Sequence, residues 1–432
     1  MRRSIVWFKT DLRLYDNETL VRAIEQSDEI IPVYCLDDSH FQISEFGFQK
    51  TGNFRARFLL ESLTDLDANL RRLGSGLIVV KGKPEVELAN IANQFRAEKI
   101  YSKKEVTYEE KQTEEAVENE AWKVNCRLET FSTSTLYHAL DLPFSIRDIP
   151  DVFTKFRKRI EREGSIREVF PKPKVIKSPP LPPLKLPELE SLGLVEPFQD
   201  ERAAIKHIGG ETTAYNRLQY YLFETRAISN YKETRNGMIG DKYSTKFSAW
   251  LAMGCLSPRE IYYELKKYES RYASNQSTYW LVFELLWRDY FRFMMKKYRT
   301  KFFQQNGIKN YDADLQMNNP ELLLKWINGE TGIDFVDANM TELKLTGFMS
   351  NRGRQNVASY LCNDLKLDWR YGAAYFEQQL IDYDVCSNCG NWAYIAGVGN
   401  DPRPDRYFNI EKQANDYDQD FSYRNLWLKT ER

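Results

Sequence analysis

The chain has little histidine: His40, His138 and His207 are the only 3 in 432 residues. Ser-His nucleophilic chemistry and histidine-based acid–base catalysis are therefore poorly supported. A zinc centre is disfavoured too, because Cys386-x-x-Cys389 has no second C-x-x-C to complete four ligands. A redox pair of the thioredoxin kind would open a helix after a strand, and the residues around Cys386 do not read that way. No apolar run approaches the roughly 18 residues of a membrane span. The opening MRRSIVWFKTDLRLYDNE has only a short apolar run followed by acids, too little for a signal peptide. With six Cys and no such peptide, reduced thiols and a cytoplasmic protein are expected. No G-x-G-x-x-G follows the first strand and no Walker-type loop occurs, so dinucleotide binding of the usual Rossmann kind is not expected. Net charge is also nearly absent, at -1, so a nucleic acid would have to meet a local basic patch.

What is there is aromatic: 26 Tyr, 25 Phe and 9 Trp in a chain that is 42% apolar and 28% charged. That length and composition suit a globular protein of two or three domains. Residues 1–135 alternate two periods. Strand-like runs stand at 4–8, 29–36, 76–80, 99–104 and 126–131, with helical patterns between them. Asn17–Ser27 follows Asp16 as N-cap, and Phe54–Leu73 carries Phe58, Leu59, Ser62, Leu63, Leu66 and Leu70 on one face. This order predicts a doubly wound parallel sheet of five strands. Residues 136–206 read as a connection, with half of the 16 Pro between Pro171 and Pro197. From residue 207 to 432 the pattern is helical, with segments at Thr212–Leu222, Thr245–Met253, Ser257–Tyr268, Ser277–Tyr298, Pro320–Asn328, Thr341–Leu345, Ser350–Asp364 and Arg370–Tyr383. The expected architecture is an α/β domain (1–135), a linker (136–206) and an all-α domain (207–432).

Four stretches carry chemistry. In YKETRNGMIGDKYSTKFSAW, Ser244, Thr245, Lys246 and Ser248 stand at a predicted helix start, where free N–H groups, hydroxyls and a cation suit a phosphate. An ordinary Ser/Thr cap reads equally well. In YWLVFELLWRDYFRF, Glu284 and Arg288 lie on one helix face among Trp280, Phe283, Trp287 and Phe291. A charge there is costly unless paired or used, and the plain alternative is an i,i+4 Glu284–Arg288 pair. Residues 279–303 hold six basic groups against two acidic, interleaved with aromatics, as suits single-stranded nucleic acid or an amphipathic helix over a core. In TGFMSNRGRQNVASYL, Asn351 and Gln355 lie one turn apart beside Arg352 and Arg354, amides that can read a base or flavin edge. The last stretch, FEQQLIDYDVCSNCGNWAY, packs Asp382, Asp384, Asn388, Trp392 and Tyr394 together, as a planar cofactor would require.

These blocks, with WFKTDLRLYDNETL and STLYHALDLPF, resemble the photolyase/cryptochrome family, and within it the DASH cryptochromes, over nearly the whole chain. The resemblance implies an α/β antenna domain and a helical domain binding FAD. It assigns Tyr231 and Ser244, Thr245, Lys246, Phe247 and Ser248 to the ribose and phosphates, with Arg288 beside the cofactor. Arg354 and Asp382 become an ion pair near the flavin, Asp384 binds the ring edge and Asn388 faces N5. Glu105 matches an acid that contacts a methenyltetrahydrofolate antenna. Glu284, Trp287, Asn351 and Gln355 match a pocket for a cyclobutane pyrimidine dimer; Arg235, Arg352 and Tyr394 match DNA-contacting positions. Trp392 and Trp369 match the first two tryptophans of a photoreduction chain, while Gln316 stands at the third position, with Trp326 and Tyr311 nearby. The implied activity is blue-light-driven dimer repair by electron transfer from reduced FAD. The partner is single-stranded DNA, with RNA a further single-stranded candidate, and no metal or membrane is expected. A monomer is expected. Tyr394, where duplex-repairing relatives have Trp, offers less stacking area, which favours single-stranded substrates. The competing reading is a flavin photosensor without repair; the end at Arg432, close behind these motifs, points to the enzyme. Repair of (6-4) photoproducts would want a pocket histidine, and His207 lies outside the motifs.

Overall fold

A computed structural model of the chain describes residues 1–309, 319–400 and 406–428. Gln316 and Tyr311 lie outside these residues. The N-terminal part alternates β1 (Arg3–Phe8), α1 (Glu18–Gln26), β2 (Glu29–Asp37), α2 (Asn53–Arg72), β3 (Ile78–Gly82), α3 (Pro84–Phe95), β4 (Lys99–Lys103), α4 (Tyr108–Lys123) and β5 (Arg127–Phe131). All neighbours are parallel, in the order β3-β2-β1-β4-β5. Ile5, Trp7, Ile31, Val33 and Ile100 face Leu88, Ile91, Val117 and Ala121 of α3 and α4. The alternate residues Val6, Phe8, Tyr34, Leu36 and Tyr101 join Phe58, Leu63, Leu66 and Leu70 of α2 on the other side. Both faces are thus covered, and each wholly buried Ile, Leu or Phe contributes about 1.5–3 kcal/mol. Asn17, not Asp16, caps α1 through its side chain. Asp16 is instead taken by Arg259 of the helical part, at 2.6 and 3.0 Å.

The connection is not wholly extended, since α5 (Phe153–Glu163) sets Phe153 against the helical part. Beyond it the Pro-rich chain crosses the α/β domain, where the Ile176 N–H donates to Leu73 O at 2.8 Å and Leu189, Leu192 and Leu194 pack on Ala56. Helices follow: α6 (Glu211–Gln219), α7 (Tyr231–Thr234), α8 (Ser248–Met253), α9 (Pro258–Arg271), α10 (Gln276–Tyr298), α11 (Pro320–Asn328), α12 (Asp334–Thr346), α13 (Asn351–Ser359), α14 (Trp369–Gln379), α15 (Val385–Ile395), α16 (Ile410–Tyr417) and α17 (Ser422–Leu428). Among the described residues no strand follows β5. Two helices expected to be longer, at 212–222 and 350–364, pass into π-turns at Tyr220–Glu224 and Tyr360–Asp364. The segment expected at 341–345 is the end of a helix that starts at Asp334. No described helix is long and apolar enough to cross a membrane.

Candidate active site

The long helix α10 is fixed at its start by a capping box of Asn275 and Thr278 and runs through the middle of the helical part. Asp289, fully buried, accepts from the backbone N–H groups of Leu136 and Tyr137 at 3.0 and 2.9 Å, which ties α10 to the connection. One face of α10 then presents Phe283, Glu284, Trp287, Arg288 and Phe291 to a cavity of about 420 Å³.

Eleven of the sequence-predicted residues line that cavity: Arg235, Ser248, Glu284, Trp287, Arg288, Asn351, Arg354, Gln355, Asp382, Asp384 and Tyr394. They come from α7's end, α8, α10, α13, the loop before α15, and α15 itself. Trp287 stacks on Phe153 at 3.7 Å between ring centroids, and Tyr394 meets it edge-on at 5.8 Å. Ser350 caps α13 by accepting from Gly353, which sets Asn351 and Gln355 at the helix start facing the cavity.

The alternative of a Glu284–Arg288 pair is not what forms. Glu284 accepts from Arg235 at 2.8 Å, a residue 49 positions away. Arg288 donates to the carbonyls of Ser134 and Leu251 instead, and its charge acts on the Asp384 carboxylate. Burial pushes the Glu284 carboxyl up, and Arg235 only partly offsets it. At the same cavity Arg354 pairs with Asp382 at 2.8 Å and also donates to Met349 O at 2.9 Å. The second oxygen of Asp382 is buried without a partner. Asp384 caps α15, accepting from the Ser387 N–H at 2.8 Å. Burial raises its carboxyl, but Arg288, Arg292 and that N–H outweigh burial and hold it below the usual range.

Other predicted residues stand apart. α8 begins at Ser248, so Ser244, Thr245, Lys246 and Phe247 form a loop and not a helix start. Arg217 shapes that loop by donating to the carbonyls of Thr245 and Ser244 at 3.0 and 3.4 Å. Lys246 is left-handed (φ 59°), its ammonium 3.4 Å from the Tyr243 ring centroid and without a hydrogen-bond partner. Burial lowers it to about 7. Tyr231 opens α7, buried edge-on to Tyr221. Arg352 does not reach the cavity, because Gln413 and Asn236 hold its guanidinium at 3.1 Å each, over the Tyr417 ring. Trp392 is buried behind the wall, 5.0 Å from Phe376 and 6.2 Å from Trp326. Gly372 makes room for it, since a Cβ there would sit 2.3 Å from the indole.

A second cavity of about 650 Å³ lies between the α/β and helical parts, meeting the first at Ala252 and Asp384. Trp369 and Asn388 line this one. Trp369 donates to Gln305 O at 3.0 Å, and the Asn388 amide donates to Ala373 O at 2.9 Å. Glu105 does not line it. Its oxygens are taken by Lys103 at 2.9 Å and Arg292 at 2.6 Å, and its side chain is 3% exposed. Burial raises that carboxyl, but the two cations outweigh it and hold it far below the usual range.

Sequence reasoning missed α15, Ser387, Asn391 and Arg406, all at the first cavity; Arg406 lies 4.2 Å over the Tyr394 ring. The spacing Asp384-x-x-Ser387 was the available signal, being that of an N-cap. Cys386 and Cys389 do open a helix, yet no strand precedes it. Both thiols are buried and pushed up by burial, the reverse of a reactive pair. No metal-binding group occurs among the described residues.

This geometry has known counterparts. Residues 4–177 match the DNA photolyase family and residues 280–431 the FAD binding domain of DNA photolyase. A cryptochrome DASH of Danio rerio is 50% identical, over 99% of this chain and 83% of its own. The chain belongs to the cryptochrome DASH family. The crystal structure of a Synechocystis cryptochrome superposes with a TM-score of 0.96 at 48% identity, covering 99% of this chain and 89% of that one. A bacterial class III photolyase from Agrobacterium tumefaciens gives 0.85 at 26% identity, covering 99% and 86%. As a cryptochrome DASH-family protein the chain carries a FAD-binding domain, and its site residues suit FAD. The orphan oxygen of Asp382 and the Arg354, Arg288 and Asp384 charges could meet the polar edge of a planar ring, and the buried Lys246 could meet a phosphate.

Proposed function

We propose that this protein repairs cyclobutane pyrimidine dimers in single-stranded DNA under blue light. Bound and reduced, FAD supplies the electron that opens the cyclobutane ring and takes it back afterwards. Arg354, Asp382 and Asp384 would hold its ring system, and Lys246 and the Ser244–Ser248 loop would hold its phosphates. The observation that carries the reading is one cavity lined both by Glu284, Trp287, Asn351, Gln355 and Tyr394 and by the flavin-type charges Arg288, Arg354, Asp382 and Asp384. A dimer turned out of the strand would enter the cavity that these residues line. Trp287 and Tyr394 give it two aromatic surfaces, and Asn351 and Gln355 give amide hydrogen bonds to its carbonyl and N–H edges. Glu284, held by Arg235, supplies a carboxyl group whose raised proton affinity suits a hydrogen bond to those edges. Trp392 and Trp369 would begin a route for electrons to the flavin before repair. The interdomain cavity takes a light-harvesting chromophore.

The test is to reduce the flavin-loaded protein, illuminate it and follow a single thymine dimer in a short oligonucleotide. Repair slowed about tenfold or more in Glu284→Gln while flavin is retained supports the reading. No repair by the loaded, reduced wild type overturns it in favour of a photosensor.

A further inference from the structure

Lys246, the buried cation of the loop before α8, has no hydrogen-bond partner of its own. The charged groups that act on it are Glu342 of α12, Arg217 of α6, Arg354 of α13 and Asp241 of the same loop. Arg354 pairs with Asp382 at 2.8 Å, and Arg217 lies 3.9 Å from Asp241. Glu342 is the acid left over, buried at the end of α12. Its Oε2 lies 2.5 Å from the Tyr423 hydroxyl of α17, which is also 3.1 Å from Asn339 Oδ1. Asp418 fixes that tyrosine by accepting from its backbone N–H at 2.7 Å. The other titratable neighbours stay in one state. Burial keeps Tyr243 and Tyr423 protonated and pushes His207 down to about 3, so that it is neutral. Burial brings Lys246 down and Glu342 up, each to about 7, so these two change charge near neutrality.

We propose that Glu342 is a positioning residue for the cofactor: held by Tyr423, it is the counter-ion that keeps Lys246 charged for the FAD phosphates. This rests on reading the Ser244–Ser248 loop as the phosphate site, and its test measures binding, not repair. The Tyr243 and Phe348 rings, 3.4 and 4.9 Å from the ammonium, favour its charge, but burial outweighs them, so a nearby anion decides whether the proton stays. With Glu342 charged, the lysine is positive before the cofactor arrives. Without that charge the lysine is neutral at neutral pH and must take a proton from water to meet a phosphate. An ammonium beside phosphates holds its proton more tightly than the same group alone. FAD affinity therefore falls as pH rises past the value of the free lysine, and loss of Glu342 moves that fall to lower pH.

The FAD-loaded protein is diluted at a series of pH values from about 6 to 9, and FAD release is followed by flavin fluorescence in wild type, E342Q, Y423F and K246Q. The wild type should lose affinity above about pH 7. In E342Q the fall should begin about one pH unit lower, which makes FAD about tenfold weaker at about pH 7.5. Y423F should move it the same way by less, because losing the hydroxyl leaves Glu342 protonated to higher pH. K246Q should bind FAD weakly throughout, with the pH dependence gone. A wild-type profile or tighter binding in E342Q, while K246Q is weak, would overturn the role of Glu342 alone. Wild-type affinity in K246Q would overturn it together with the phosphate reading of the loop. Where E342Q does not fold, Y423F decides, and an unmoved profile there overturns the proposal.

Discussion

Two glutamates, Glu284 and Glu105, each meet an arginine from a distant part of the chain, with opposite results. Glu284 has one cation, Arg235, and a side chain 30% exposed at a cavity wall. Glu105 has two, Lys103 and Arg292, and is sealed at 3%. The acid that remains under-neutralised is the one at the cavity wall; the fully matched acid joins two domains. Charge balance, more than residue type, separates the cavity-facing acid from the structural one here.

The largest effect expected from breaking that contrast is at Glu105. Glu105→Gln leaves Lys103 and Arg292 buried without their anion and should cost about 3–5 kcal/mol of stability, read by denaturant unfolding at neutral pH. Its carboxyl is depressed on folding, so the stability it adds is present above the ordinary glutamate value and lost as pH falls towards the folded value. The wild-type contribution should therefore be flat between about pH 6 and 8. Next is Asp384, which lines both cavities. Asp384→Asn removes a buried charge facing Arg288 and Arg292, and FAD affinity should fall roughly 100-fold, about 3 kcal/mol, measured by flavin retention and titration. Glu284→Gln should leave folding and flavin content unchanged. It should slow dimer repair by about tenfold or more, the worth of a hydrogen bond to a charged group at ~1.5 kcal/mol. The smallest effect sharpens the single-strand argument: Tyr394→Trp should raise duplex repair a few-fold, about 1 kcal/mol of added stacking, with single-strand repair unchanged.

How far the sequence shows this varies with the range of each interaction. The five strands are legible because alternate burial is a local signal, as in Ile5, Val6, Trp7 and Phe8, and α2 because its apolar face repeats at helical spacing. The π-turns after α6 and α13 are invisible to a 3.6-residue period. Helix α15 escapes because Cys, Ser, Asn and Gly are weak helix formers, and only the Asp384 cap announces it. The Glu284 partner could not be read, since 49 residues separate it from Arg235 and a plausible partner stood one turn away. Lys103 was nearer to hand. It lies two residues from Glu105, a spacing that puts both on one side of extended chain. The resemblance supplied residue roles and not their neutralising neighbours, and Glu105 is where the two diverge.

The most direct test of the cavity's role is repair of one thymine dimer placed in matched single-stranded and duplex oligonucleotides by the reduced, flavin-loaded protein under blue light. The account predicts repair of the single strand and at least about tenfold slower repair of the duplex, the ~1–3 kcal/mol that a flipped base gains from stacking being too little to open a helix. Intact dimers in both substrates after illumination would contradict it.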